Sequence, residues 1–251
     1  MKKLLLSSAA LVFAAVGFAQ NNYDITQQWG NGNSAVIDQE GNSNSNTIYQ
    51  QGDFNIATTT QWGVGNMNET ESIGNSNEAY VDQWGMSNEN TTSQQGDGNY
   101  AFVDQDGTTN FNEQLQVGDF NEAESTQLGI DNFAYQEQVG TINWAVNDQS
   151  GNANVAYQLQ NGDWNWAFNT QSGSGNFAFQ FQDGDVHTAS NDQAGDNNET
   201  WQIQLGDFHV AYDGSYGNNN YVDVFQAGSG HYHSGLQFGN DNTIVVTQND
   251  L

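Results

Sequence analysis

The 251-residue sequence has no cysteine, no proline and only two basic residues, Lys2 and Lys3, against 30 acids. Each absence excludes something. Without cysteine there is neither a disulfide framework nor a thiol nucleophile. Without proline, nothing in the chain withholds a backbone N–H from a β-ladder. A formal charge of −28 with almost no cations cannot neutralise phosphates, which excludes nucleic acid as a partner and argues against an anionic membrane surface. It also leaves no cationic side chain to stabilise an oxyanion or a transferring phosphoryl group. No apolar run reaches the roughly 20 residues of a spanning helix, so no membrane span is expected.

Both lysines lie together at the start. Lys2-Lys3 reads as the charged region of a secretory signal, Leu4 to Phe18 as its apolar region, and Gly17-Phe18-Ala19 as a small-x-small cleavage site before Gln20. Residues 1–19 are thus expected to leave on export, taking the formal charge from −28 to −30 because both cations go with them. The expectation is a secreted protein, stabilised by something other than disulfides.

What the chain has is a period. Counting in elevens from Gln28 gives twenty consecutive blocks with no insertion or deletion, ending at Thr247. The third position is glycine in all twenty, from Gly30, Gly41, Gly52 and Gly63 to Gly217, Gly228 and Gly239. The first is glutamine in eighteen, with Ser72 and Ser215 as exceptions, and the sixth is asparagine in seventeen, with His187, His209 and His231 in its place. The organisation expected is a partial unit at 20–27, tandem repeats over 28–247 and a short tail at 248–251.

An eleven-residue period also suits a right-handed helical coiled coil. One glycine per block, costing a helix about 1 kcal/mol each, and few strong helix formers exclude it. Low-complexity disorder needs no such strict register. Fixed spacing points instead to stacked repeats. Within a block, positions two to five carry turn residues, and positions six to one read as a strand. Position eight alternates between alanine (Ala35, Ala57, Ala79, Ala101) and asparagine (Asn46, Asn68, Asn90, Asn112), so two blocks make one rung of 22 residues. The fold expected is an all-β solenoid of about ten rungs, with residue i above residue i+22.

Strand alternation places positions six, eight, ten and one on one face. That face, the repeating one, is assigned to the interior; the opposite assignment, with the aromatics inside, is the alternative. Stacked amides hydrogen-bond to their equivalents one rung away at the 4.7–4.8 Å cross-β spacing, which satisfies buried polar groups. The expected self-assembly ladders run through Gln28, Asn33, Gln39, Asn44, Gln50, Asn55, Gln61 and Asn66 towards one end, and through Gln226, Gln237, Asn242 and Gln248 towards the other. Each end of such a solenoid is a template for another chain, and neither end carries a recognisable cap. The reading that follows is end-to-end homopolymerisation, with the chain itself as its partner.

Asp53, Asp97, Asp119, Asp163, Asp185 and Asp207 share one turn position at multiples of 22, a column interrupted by Asn75 and Thr141. Neighbouring carboxylates there repel by roughly 0.9 kcal/mol in water. They read as solvated surface or as gatekeepers that delay assembly until export is complete. The calcium-binding β-roll pattern is missing, and no metal or cofactor is expected. His187, His209 and His231 also fall 22 apart, as substitutions in the asparagine ladder or as a pH- or metal-responsive column.

Gln-x-Gly-x-x-Asn-x-Ala-x-x-x-Gln, as in Gln28, Gly30, Asn33, Ala35 and Gln39, resembles the curlin repeat of bacterial curli subunits. The elements recur at Gln94, Gly96, Asn99, Ala101 and Gln105 and at Gln171, Gly173, Asn176, Ala178 and Gln182, and the likeness runs over residues 22–248. The resemblance implies a secreted amyloid subunit of the extracellular matrix, a stacked β-solenoid, export through an outer-membrane channel and a nucleating partner subunit. The chain departs from that family in carrying asparagine where serine is usual (Asn22 before Gln28, Asn33 before Gln39), in having about twice the usual five rungs, and in lacking basic gatekeepers. Major subunit, nucleator and a chain serving as both all fit the repeat.

Catalysis has little support, because the acids follow the repeat instead of converging on a cleft, and no enzyme is expected. The runner-up is a monomeric secreted solenoid with an ice-binding or adhesive face. Thr58-Thr59-Thr60 and Thr91-Thr92 hint at the threonine ladder that would mark one, and exposed aromatics such as Trp144, Trp166, Phe168 and Phe179 could serve adhesion or bundling.

Overall fold

The computed structural model describes residues 21–250, so the expected export signal, like Gln20 and Leu251, lies outside the described residues. The described residues form twenty-one strands and no helix, from β1 (Tyr23–Trp29), β2 (Ser34–Asn42) and β3 (Ser45–Gln51) to β19 (Tyr221–Ser229), β20 (Tyr232–Phe238) and β21 (Thr243–Asn249). The odd-numbered strands make an 11-stranded sheet and the even-numbered strands a 10-stranded one, each in chain order. Every pairing is parallel and joins residue i to i+22, as in Gln105↔Gln127 and Ala123↔Ala145. The chain is a β-solenoid of about ten turns, 22 residues to the turn.

Strand limits differ from the sequence reading. Position six lies just before each strand, and the strand runs on to position two (β3) or to position four (β2). The ladder does not stop at the bend. Gly52 N donates to Trp29 O at 2.9 Å and Phe54 N to Asn31 O at 2.9 Å, so turn residues keep their partners one rung away.

Two turn positions take positive φ, for different reasons. At position three φ lies between +106° and +143°, a region only glycine enters freely, and from Gly30 to Gly217 an added Cβ would overlap the carbonyl of the glycine one rung on. At position five φ lies between +54° and +73°, the left-handed helical region that other residues can reach at a cost. Accordingly position three is invariant, whereas position five holds Phe54, Thr109, Ile142, Trp164 and Val186 as well as glycine.

The two sheets bury their inward faces against each other. Alanine fills position eight of the even sheet from Ala57 to Ala211, letting the sheets approach closely. Aromatics line the outer faces in stacks, such as Phe111 on Phe133 at 5.1 Å between ring centroids and Trp62 on Trp84 at 4.6 Å.

Candidate functional site

The interior is a set of hydrogen-bonded amide columns. At position one, Gln105 Nε2 donates to Gln127 Oε1 at 2.8 Å and to the carbonyl of Glu89, on the facing sheet, at 2.9 Å. The even sheet carries this column without a break from Gln39 through Gln61 to Gln193. The odd sheet carries it from Gln94 to Gln248, preceded by Gln28 and Gln50. Ser72 and Ser215 are the breaks. Their hydroxyls reach only the next glutamine, Gln94 and Gln237, at 3.1 Å. Every link from one position-one glutamine to the next donates towards the C-terminal end, so the column has a direction.

At position six the asparagine side chain closes the turn. Asn121 Nδ2 donates to Gly140 O at 2.9 Å, and its Oδ1 accepts the backbone N–H of Asn143 at 3.0 Å. Asn33, Asn44, Asn55 and Asn66 make the same pair of bonds, and Asn242 donates to Asn220 Oδ1 at the far end.

The histidines take over this role. His187, His209 and His231 stack at 5.1 Å with planes 4° apart. His187 Nδ1 accepts the N–H of His209 at 3.2 Å, and His209 Nδ1 that of His231 at 3.1 Å. Nε2 of His209 and of His231 each meets a carbonyl at 2.9 Å, Leu205 O and Ala227 O, which places a proton on that nitrogen, and the N–H that His209 Nδ1 accepts makes the His209 ring neutral. His209 thus has both nitrogens engaged, whereas His187 Nε2 is buried without a hydrogen-bond partner; among the described residues no three His, Asp or Glu side chains converge as ligands.

Burial first, then the neighbouring His209, holds His187 below the ordinary imidazole range. A depressed folded value means that the unfolded chain binds the proton more readily. This contribution to stability is therefore present above about pH 6.5 and is lost as pH falls through the folded value. Protonated Nδ1 would also face a backbone N–H. Buried surface acids act oppositely: Asp104 is raised by burial and by Asp82 and Asp106, and Glu122 by burial and by Glu124, so both favour the folded chain as pH falls towards 4. The His187→Asn/His209→Asn/His231→Asn variant should therefore lose less thermal stability than the parent between about pH 7 and 5. Melting curves at each pH read that difference directly, since the acids are common to both proteins.

The turn acids have a structural use that the sequence reading missed. Asp97 Oδ1 accepts the backbone N–H of Asn75 at 2.8 Å, Asp119 that of Asp97 at 2.9 Å, and Asp185 that of Asp163 at 2.9 Å. Asp53, Asp163 and Asp207 bind Asn31, Thr141 and Asp185 likewise. Each carboxylate pins the turn one rung before it.

Three shorter amide columns fill the interior between positions six and one. Asn46, Asn68, Asn90 and Asn112 link at position eight of the odd sheet, Gln114, Gln136, Gln158, Gln180 and Gln202 at position ten of the same sheet, and Asn147, Asn169 and Asn191 at position ten of the even sheet. Column ends are left without partners in Asn112 Oδ1, Gln114 Oε1, Asn147 Nδ2 and Asn191 Oδ1. Thr59, Thr70 and Thr92 are buried in this interior, whereas Thr58, Thr60 and Thr91 face outward between Val36 and Tyr80, Asp38 and Asp82, and Glu69 and Glu113, so none of the three continues into a threonine ladder.

The edges are where the pattern is open. Among the described residues no strand lies over β1 and β2 or over β20 and β21, and their inward residues, buried elsewhere, are exposed or half-buried, except Gly235 and Gln237 of β20, which stay buried. At one edge stand Asp24, Thr26, Gln28, Ala35, Ile37 and Gln39. At the other, Ile244 and Val246 cover the apolar cluster of Ala211, Val222 and Val224. Beside them His233 Nε2 meets Asp213 Oδ1 at 3.0 Å, while Gln202 Nε2 donates to Asp213 Oδ2 at 2.8 Å. Asp24 and Asp213 are the two acids at inward positions of the described strands, a signal available from position counting that the sequence reading passed over. No deep cleft accompanies these features; a representative concavity, lined by Glu137, Leu159 and Phe181, is a shallow surface hollow of about 270 Å³.

Residues 217–249 match the family model described as the curlin associated repeat. No curated protein matches the chain. The match falls on one and a half rungs at the C-terminal edge, and its 11-residue pattern is the one that every other rung repeats.

Proposed function

From a chain built of curlin repeats, we propose that this protein is a secreted structural subunit that polymerises end to end into extracellular cross-β fibres of a surface matrix. The single observation that carries the reading is the pair of edges at which, among the described residues, no strand pairs with the outermost strands and the glutamine columns end. The fold buries a template along its whole length and presents it at both ends. By family likeness a nucleating subunit and an outer-membrane export channel are the accompanying partners. The work of the molecule is adhesion and scaffolding, with no catalytic step; the large exposed aromatics at the corners, Phe54, Phe120, Trp164 and Phe208, suit lateral contacts.

The test is assembly of residues 20–251 with and without preformed seeds. Seeded growth into fibres with a meridional reflection near 4.7–4.8 Å is expected. A folded monomer that stays soluble and inert to seeds at high concentration would contradict the reading.

As gatekeepers, the turn acids slow the encounter of like-charged edges. Asp97→Asn should shorten the assembly lag, because asparagine at Asn75 already accepts the same backbone N–H (from Asp53, at 3.0 Å) without the charge. Asp97→Ala loses that bond and should gain less. Raising salt should shorten the parent's lag towards that of Asp97→Asn, since screening removes the same repulsion. Lag times by dye binding across salt concentrations decide it.

A further inference from the structure

Granted polymerisation through the edges, the next question is how one copy sits on another. The edge strands are staggered: β21 stands half a rung beyond β20, and β1 half a rung before β2. If a second copy stacks by translation alone, its β1 pairs with β21, and the even sheets of the two copies are left with a missing strand between β20 and the incoming β2. If the second copy is turned by half a revolution about the long axis, its β1 pairs with β20 and its β2 with β21. No strand is then missing, because the 11-residue repeat makes the two sheets equivalent in backbone.

Side chains separate the two arrangements. Translation sets the incoming Asp24 on Ile244 and Thr26 on Val246, burying a carboxylate against aliphatic carbon at a cost of several kcal/mol. The half turn sets Ala35 on Ile244 and Ile37 on Val246, continuing the apolar cluster of Val222 and Val224. It sets Asp24 on His233. That imidazole already holds Asp213 through Nε2, and its Nδ1 makes no hydrogen bond among the described residues, so the second carboxylate finds the free nitrogen. In the isolated chain Asp24 accepts Asn46 Nδ2 at 2.7 Å and, more weakly, Thr26 Oγ1 at 3.3 Å, and it stays exposed. On the outer face the half turn brings Tyr23 onto Tyr232 and Trp29 onto Phe238, like the aromatic stacks inside the molecule.

The amide columns set the polarity. In the position-one glutamine columns the donors point to the C-terminal edge, where Gln237 and Gln248 donate only to the carbonyls of Tyr221 and Tyr232 among the described residues; the asparagine columns donate the other way, as Asn68 does to Asn46, so both kinds give the stack a direction. The acceptors Gln28 Oε1 and Gln39 Oε1 face outward at the other edge. Head-to-tail stacking joins donor to acceptor, whereas head-to-head stacking sets acceptor against acceptor.

We propose that successive copies in the fibre are related by a half turn about its axis, head to tail, with β20 of one copy paired to β1 of the next and β21 to its β2. This proposal rests on the polymer reading above. A consequence is that the carboxylate columns of neighbouring copies lie on opposite sides of the fibre and never join into one line of charge.

Since the chain has no cysteine, engineered pairs report the junction without background. In the half-turn arrangement Ile25 lies beside Ser234 of the neighbouring copy; in the translated arrangement it lies beside Val245. In-register neighbours are about 4.8 Å apart, within disulfide range. Residues 20–251 carrying Ile25→Cys/Ser234→Cys or Ile25→Cys/Val245→Cys are assembled on seeds under reduction, then oxidised and run without reductant, beside the single-cysteine controls. A ladder of covalent multimers from the first pair and none from the second is the expected result. Multimers from the second pair only, or fibres in which neither pair links, would overturn the half turn while leaving the fibre itself intact. Failure of the cysteine-free chain to form fibres would instead remove the functional reading on which the proposal stands.

Discussion

Gly129→Ala should be among the most damaging single substitutions in this molecule, costing at least about 4 kcal/mol and slowing seeded growth severely. Gly129 sits in a central strand at φ +122°, and an added Cβ would overlap the carbonyl oxygen and carbon of Gly151 one rung away. That carbonyl also accepts Asn132 Nδ2 at 3.0 Å, so it cannot move aside without breaking the turn. Both the backbone angle and the space are denied, and relief requires two rungs to part. The same physics gives the opposite sign two positions later. Ile142 holds a half-buried β-branched side chain at φ +58°, so Ile142→Gly should stabilise by at most about 1 kcal/mol, the released left-handed strain outweighing the freer unfolded chain and the lost contact. Denaturant midpoints of the two variants against the parent test the pair together. Equal effects of one sign would mean that the rung spacing is not what forces glycine at position three.

The second large effect concerns the amides. Gln138 accepts Gln116 Nε2 at 2.9 Å and donates to Gln160 Oε1 at 2.9 Å and to Glu122 O at 2.8 Å, with no exposure to water. Gln138→Leu keeps the volume and removes all three bonds. It strands Gln160 Oε1 and Glu122 O without this donor and leaves Gln116 Nε2 with Tyr100 O alone. At 1–3 kcal/mol for each stranded buried group, the expected loss is about 3–5 kcal/mol. Gln138→Ser removes more volume yet should cost less, about 2 kcal/mol, because a hydroxyl there can donate to the next glutamine as Ser72 does to Gln94. The order of the two variants is the measurement. If serine proves worse than leucine in thermal or denaturant unfolding, packing volume and not the amide column holds the interior together.

Much of this architecture was legible from position counting, for a physical reason. In a parallel in-register stack, residue i meets only residues of its own column and the column facing it, so a local pattern repeated without slip dictates the tertiary contacts. Gly30, Asn33 and Gln39 announce the turn, the turn-closing amide and the ladder because each must recur at the same height. The inward assignment of positions six, eight, ten and one followed from the same recurrence. What was not legible lay where one side chain answers another that does not share its column. The turn acids looked like solvated charge, yet each accepts a backbone N–H from a different rung, which only the backbone path reveals. Where the position-eight asparagines end at Asn112, the position-ten glutamines begin at Gln114 in the same sheet, and no single column shows that handover.

The sequence by itself determined the 22-residue rung, the two sheets and the invariance of glycine at position three, because these are properties of a repeat; it favoured amides inside over aromatics inside, and burial in the structure decided between them. Only the tertiary structure decided the rest. It showed that position five takes left-handed φ and so tolerates Phe54 or Ile142, and that His187, His209 and His231 stack in place of asparagine, with Nδ1 of the first two accepting the next rung's backbone N–H. It brought His233 to Asp213 and staggered the edges so that Asp24 and Ile37 stand open at one end and Val246 and His233 at the other. Those outcomes depend on which atoms the twisting backbone brings within reach, and distance across a fold is not written in spacing along a chain.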